Sequence, residues 1–295
     1  MTALATHLLL GLLWLVHWLP LGVQAALGNG LGRLLHAVAG SRRRIALRNV
    51  ELCLPERSAA QREALVREHF RWLGRSIIER PLLWYASPKR LRRLIHVDGD
   101  VKLAERSPRP VMWLVPHFMA LDVAGSATQL FQSNPVGSIY QAQSNPVFDA
   151  AIRKGRMRFG QGDLWPRSDT ALPLVRGIRR GFSFFNLPDM DFGIKDAAFV
   201  PFFGVPAATL LAPSQLARSL KMVVQPVLAE ILPGGRGYRV NFLPPWTDWP
   251  SDDPLADTRR LNEWIEARIR ENPAQYLWVH KRFKTRPPGE AGLYD

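Results

Sequence analysis

Val111-Met-Trp-Leu-Val115-Pro116-His117-Phe-Met-Ala-Leu-Asp122 decides how this chain is read. Five apolar residues in a row have the length and bulk of a buried strand. Pro116 cannot continue a ladder, so the strand ends there. A helix-compatible stretch begins near Asp122. His117 therefore stands at a strand's C-terminal end, the edge at which open α/β sheets bind ligands. On a continuous helix, residues five apart point in well-separated directions. With His117 in the turn and Asp122 in the first helical turn, the carboxylate is expected to reach one imidazole nitrogen. The other nitrogen then faces the cleft as a base.

Further strands are expected at 136–141, 182–187, 222–231 and 238–243, and helices at about 122–132, 146–159, 169–180, 208–219 and 257–271. The alternation predicts an α/β sheet. Ser58-Ala-Ala-Gln61 has the form of a capping box. Val66, Phe70, Leu73 and Ile77 follow at helical spacing, and Pro81 is expected to close that helix. Residues 88–98 read as an Arg-rich connector, and the tail after Pro287 as loose. The chain has 295 residues and 47% hydrophobic content, enough for a substantial core. No linker divides it.

From Met1 to Gly32 there is no Asp, Glu, Lys or Arg. The segment is expected to be an N-terminal membrane anchor helix, 1–32, ahead of a catalytic domain, 33–295. His17, Pro20 and Asn29 interrupt it, which favours a short span or an interfacial helix over an ideal span of roughly 20 apolar residues. The rival readings are a cleaved signal peptide, which lacks a positive first region here, and a buried core helix. Arg33, Arg42-Arg43-Arg44 and Arg48 follow, which by the positive-inside tendency keeps the body cytoplasmic. Gly28-Asn-Gly30-Leu-Gly32 lacks the preceding strand of a dinucleotide loop and is expected to be a flexible exit from the N-terminal helix.

The net charge of +14 points to a polyanionic partner: nucleic acid, an anionic membrane or a phosphorylated substrate. The charge is dispersed and no nucleic-acid motif stands out, so nucleic acid is not expected. The lone Cys53 is read as a small core residue. There is no Gly-x-Ser-x-Gly elbow and no Walker loop, and the histidines have no metal-ligand spacing. Acid–base chemistry without cofactor or metal remains.

Several blocks then fall into one order. Arg43-Arg44-Ile45 and Asn49-Val-Glu-Leu-Cys-Leu-Pro-Glu56 precede His69-Phe70, Gly74 and Glu79. After the His117-x4-Asp122 box come Tyr140, Asn145-Pro146 and Lys154-Gly-Arg156-Met-Arg158. Leu187-Pro-Asp189-Met-Asp191-Phe-Gly193, Phe199-Val-Pro-Phe-Phe-Gly204, Ala208-Thr209 and Tyr276-Leu-Trp278-Val-His280-Lys-Arg282-Phe-Lys284 complete the series. Over nearly its whole length the chain resembles the late acyltransferases of bacterial lipid A biosynthesis, the lauroyl/myristoyl transferases, relatives of the His-x4-Asp glycerolipid acyltransferases. Many members carry Glu where this chain has Asp122.

The resemblance implies a single glycerolipid-acyltransferase-like domain, a mixed central sheet flanked by helices. It implies transfer of a fatty acyl chain from an acyl carrier protein thioester, with coenzyme A as the other possible donor, to a hydroxyl of a phosphorylated glycolipid, the lipid A precursor. The place would be the cytoplasmic face of the inner membrane, against its lipids. His117 would be the general base and Asp122 its orienter. Arg156 and Arg158 are candidates for acceptor phosphates or the oxyanion, because guanidinium binds such oxygens in pairs; a solvated basic helix face is the plainer reading. Asp189 and Asp191 would meet sugar hydroxyls or a neighbouring arginine, unless Pro-Asp-x-Asp-x-Gly is only a turn. Tyr140 and Asn145 would shape the cleft, although Asn145-Pro146 is also an ordinary helix start. The 276–284 block would meet the membrane or the acceptor, or simply pack on the sheet. The same fold acting on a lysophospholipid, an ornithine lipid or another glycolipid is the alternative.

Overall fold

The computed structural model describes residues 3–167 and 171–294. Asp169 and Thr170, expected to open the helix over 169–180, lie outside them, as do the first two residues of the expected anchor. Helices α1 (Ala3–Val16), α2 (Leu21–Val38), α3 (Gly40–Cys53) and α4 (Ala59–Tyr85) lead into α5 (Pro88–Leu94), β1 (Ile95–Gly99) and α6 (Leu103–Arg106). Then come β2 (Val111–Leu114), α7 (Leu121–Leu130), β3 (Val136–Tyr140), α8 (Pro146–Arg156), β4 (Gly162–Pro166), α9 (Leu172–Arg179) and β5 (Ser183–Asn186). The chain closes through β6 (Ala197–Phe202), β7 (Val205–Leu210), α10 (Ala212–Ser219), β8 (Val223–Ile231), β9 (Tyr238–Phe242) and α11 (Pro254–Glu271).

Seven strands form one sheet in the order β1-β9-β8-β2-β5-β3-β4, and β6 and β7 pair separately. From β8 to β4 every neighbour is parallel, whereas β9 runs antiparallel to β8 with β1 parallel to it. The sheet is therefore mixed. Both faces are covered, so β2 is apolar throughout rather than alternating. Met112 and Leu114 enter one core and Val111, Trp113 and Val115 the other. Trp113 donates its indole N–H to Gln225 at 3.0 Å, satisfying a buried polar atom in the centre of the sheet.

The N-terminus forms two helices, not one. Pro20 precedes α2, and Arg90 of α5 donates to the carbonyls of His17 and Leu19 at 2.5 and 2.7 Å, pinning the break. The supposed connector at 88–98 is thus a helix and an edge strand. No helix among the described residues is long and apolar enough to cross a membrane. Gly28 and Gly32 lie inside α2, which runs past residue 32 to Val38. A Cβ on Gly32 would stand 2.2 Å from the Phe70 carbonyl oxygen, and one on Gly74 would stand 2.2 Å from that of Gly28. The glycines let α2 and α4 touch backbone to backbone, which replaces the flexible exit expected from them.

Helix α4 starts on the Ser58–Gln61 capping box but runs past Pro81 to Tyr85. Burial of Leu82, Leu83 and Trp84 outweighs the cost of an internal proline, about 3 kcal/mol. The tail is held as well: the Tyr294 hydroxyl bonds Asn49 and accepts from the Phe283 N–H. Cys53 is buried, as expected of a core residue.

Candidate active site

His117 and Asp189 meet because β2 and β5 are neighbours in register. Leu114 pairs with Asn186, and each functional residue lies three positions beyond that pair. The Asp189 carboxylate takes the His117 backbone N–H on Oδ2 at 2.9 Å and faces His117 Nδ1 with Oδ1 at 2.7 Å. The Tyr276 hydroxyl lies near it, and burial together with the Asp189 charge pushes that phenol well above its ordinary range. Burial works to raise the Asp189 carboxyl, but the His117 charge and its two hydrogen bonds outweigh burial and hold the group below the ordinary carboxylate range. An ionised carboxylate only accepts, so Nδ1 carries the proton. Nε2 remains for the cleft.

The expected hydrogen bond between Asp122 and His117 is absent among the described residues, and Asp189 holds the imidazole instead. The helix explains the difference. Asp122 is the second residue of α7, and its side chain meets α8 and α4. Arg156 bonds its Oδ1 through Nε at 3.0 Å, with a second guanidinium nitrogen at 2.9 Å. Arg80 Nε pairs with Oδ2 at 3.2 Å. Burial would raise the Asp122 carboxyl, but Arg156 and Arg80 outweigh it and hold it at about 2.

The other expected residues divide. Tyr140 lines the cleft, pairs with Asp149 at 3.0 Å and accepts from Arg153 at 3.1 Å. Asn145 caps α8 through the N–H groups of Val147 and Phe148 and donates to Thr6 Oγ1 at 2.8 Å. Arg158 turns away from His117 and donates to the Leu83 and Tyr85 carbonyls at 3.3 Å, closing the end of α4. Asp191 is spent on a turn: its carboxylate accepts from Gly193 N, Thr285 N and Thr285 Oγ1 at 2.7–2.9 Å. The 276–284 block packs inward, with Tyr276, Trp278, Arg282 and Phe283 buried.

That block frames the site. Met119 N–H donates to the Gln275 carbonyl at 2.8 Å, and Leu277 N–H to the His117 carbonyl at 3.0 Å. Gln275 in turn exchanges two side-chain hydrogen bonds with the Ile231 backbone at the end of β8. His280 accepts the Asp191 backbone N–H on Nε2 at 3.2 Å; burial and the nearby His117 charge hold its pKa at about 4, so it is neutral. Arg282 donates to Ala208 O and Thr209 Oγ1 at 2.9 and 2.7 Å. Arg80, Tyr276 and His280 were not singled out in the sequence for roles here; only Tyr276 and His280 lay in a quoted block, and no spacing signal leads to Arg80.

His117, Asp122, Arg80, Arg156 and Tyr140 all line one open cleft of about 500 Å³, with Phe118, Phe184, Phe185, Leu187 and Met190 as apolar wall. A carboxylate-oriented imidazole thus faces an apolar groove with two guanidinium groups on its rim. Such a site can take a proton from a hydroxyl and hold an anionic ligand beside it.

The model of the bacterial lipid A biosynthesis acyltransferases matches residues 1–285. The lipid A biosynthesis palmitoleoyltransferase of Escherichia coli is 34% identical over 97% of this chain and 92% of its own. The lauroyltransferase of that organism is 33% identical over 98% and 94%. Its myristoyltransferase is 34% identical over 90% and 82%. The chain therefore belongs to the bacterial lipid A biosynthesis acyltransferase family and is an O-acyltransferase.

Proposed function

We propose that this enzyme moves a fatty acyl chain from an acyl carrier protein thioester to a hydroxyl of a phosphorylated lipid A precursor, with His117 as general base and Asp189 as its orienter. The observation that carries the reading is the 2.7 Å contact between His117 Nδ1 and the buried Asp189 carboxylate at the wall of the cleft.

The acceptor hydroxyl is too weak an acid to ionise at neutral pH. His117 Nε2 takes its proton as the oxygen bonds the thioester carbonyl carbon. Asp189 stabilises the imidazolium that forms, the logic of a catalytic triad without its own nucleophile. Collapse of the tetrahedral intermediate breaks the carbon–sulfur bond, and the imidazolium returns the proton to the departing thiolate. Arg156 and Arg80 stand where an acceptor phosphate would be drawn in, and Asp122 pairs with both and offsets their mutual repulsion. Asp189, and not Asp122 as expected from the His-x4-Asp box, is thus the orienter of His117.

The site of work follows from α1. Its 14 residues span about 21 Å, short of the roughly 30 Å of a hydrocarbon core. Leu4, Leu8, Leu12 and Leu15 recur on one face, each more than half exposed, with Trp18 at its end 65% exposed. We infer an interfacial helix lying on the cytoplasmic leaflet of the inner membrane, which brings the cleft to the lipid acceptor.

The test is direct. The purified chain is given acyl carrier protein loaded with a saturated chain, or the same chain on coenzyme A, and a phosphorylated lipid A precursor. Mass spectrometry is expected to show one added acyl group, faster from the carrier protein. Transfer to a lysophospholipid but not to the glycolipid would overturn the acceptor assignment. Equal rates from both donors would overturn the donor assignment.

A further inference from the structure

A narrow slot of about 60 Å³ leads off the cleft. The two share Leu121, Asp122, Ile139, Arg156, Phe185 and Leu187 at their junction. From there the slot descends along α7, which presents Leu121, Gly125 and Gln129 to it at one-turn intervals. Its deeper walls are Leu83 and Trp84 of α4, Val136 of β3, and Met157 beyond α8. Ser126, Ser138 and Gln129 are the polar residues beyond the mouth and the rest of the lining is apolar, which suits a hydrocarbon better than a sugar or a phosphate.

Two residues set how far a chain can go. Gln129 ends the descent. Its amide donates to the Gly125 carbonyl at 3.0 Å and the Arg156 carbonyl at 2.6 Å, so the side chain is fixed across the slot. Its Oε1 is buried with no protein hydrogen-bond partner, and a terminal methyl gains nothing by burying itself against it. Gly125 stands one turn above. A Cβ built there meets only Phe185 Cζ, at 3.9 Å. The space beside Gly125 is thus open, whereas a Cβ on Gly155, also lining the slot, would collide with the Trp84 ring at 2.3 Å. The seven residues from Asp122 to Gln129 cover about 11 Å of helix.

We propose that Gly125 and Gln129 determine acyl chain length: the absent side chain at 125 leaves the slot open, and the amide at 129 is its floor. The inference rests on the acyl-transfer reading and adds the donor's chain as the slot's occupant. With the first carbons lying in the cleft beside His117 and the rest within the slot's 11 Å of helix rise, the favoured donor is a straight saturated chain of roughly ten to twelve carbons. Each methylene that cannot be buried lowers kcat/KM about fourfold.

Wild type, Gly125→Leu, Gly125→Ala and Gln129→Ala are compared on acyl carrier protein loaded with six- to sixteen-carbon chains, against one acceptor. Gly125→Leu is expected to move the optimum down by about three or four carbons, with a tenfold or greater loss on the twelve-carbon donor relative to the eight-carbon one. Gly125→Ala moves it the same way by about one carbon, and its methyl has space, so it carries the test if the leucine variant does not fold. Gln129→Ala lengthens the optimum. Unchanged profiles in folded, active variants overturn the proposal. So does a change that follows the acceptor's own acyl chains instead of the donor's. Absence of any transfer, in wild type as well, would instead count against the acyl-transfer reading itself.

Discussion

Asp189 and Asp122 are both aspartates at the cleft, yet their surroundings give them different work. Asp189 is 1% exposed and spends both oxygens on His117; Asp122 faces two guanidinium groups. Asp189→Asn is therefore expected to lower the initial rate of acyl transfer by two to four orders of magnitude, the usual value of a positioned base. The double variant with His117→Ala should be no slower than His117→Ala alone, because paired groups lose their effect together; additive losses in the same rate assay would argue against the dyad. Asp122→Asn should instead lower stability by roughly 1 kcal/mol, a small figure because both arginines are about one-third exposed and screened, read as a shift in denaturant midpoint. The sequence drew attention to His117 because a strand and a proline precede it. It could not single out Asp189 as the partner, 72 residues away, since that depends on which strand lies beside β2.

Strands β2, β3, β5, β8 and β9 were legible because their side chains are apolar enough to bury. β1 and β4 were not, and they are the two edges of the sheet. Edge strands tolerate the polar residues and proline that erase the pattern, as in Ile95-His-Val-Asp-Gly99 and Gly162-Asp-Leu-Trp-Pro166. β7 was hidden for another reason: its Ala207-Ala208 pair reads as the start of the helix that begins at Ala212. The short turn before it, Phe203 and Gly204, has φ of 51° and 77°, the primed hairpin geometry that glycine makes easy. The α2–α4 contact has a sharper test. Gly74→Val places atoms where the Gly28 carbonyl already stands and is expected to cost about 1–3 kcal/mol or more, seen as a fall in melting temperature. Deleting residues 1–17 should leave that contact intact and abolish flotation with anionic vesicles, whereas deleting 1–32 removes Gly28 and Gly32 and should give an aggregating protein.

Across the whole molecule, acid should loosen the fold through histidines that are buried neutral. Burial holds His69 at about 4 against an ordinary 6.5, even though its Nδ1 meets the Ala274 carbonyl at 3.2 Å. Because the folded pKa is depressed, the unfolded chain binds the extra proton first. The stability is full above about 6.5 and is lost as pH falls toward 4, roughly 3 kcal/mol for this group. Glu79, raised by burial despite Arg75 and Tyr238, works in the opposite direction. Melting curves from pH 7.5 to 4.5 should therefore fall with acid, and His69→Gln should flatten the slope; an unchanged slope would remove His69 as a cause. His69 also braces residues 274–276, which hold the His117 turn, so acid is expected to depress activity before the fold is lost.

The dyad rides on the ladder between β2 and β5, fixed by the pairing of Leu114 with Asn186. The slot, by contrast, is walled chiefly by helices. On these two proposals, chemistry and selectivity are carried by separate parts of one scaffold, and a substitution on α7 would change which chain is accepted while the proton-transfer geometry stays where the sheet put it. A division of this kind lets a single architecture be retuned from one hydrocarbon to another by a handful of side chains.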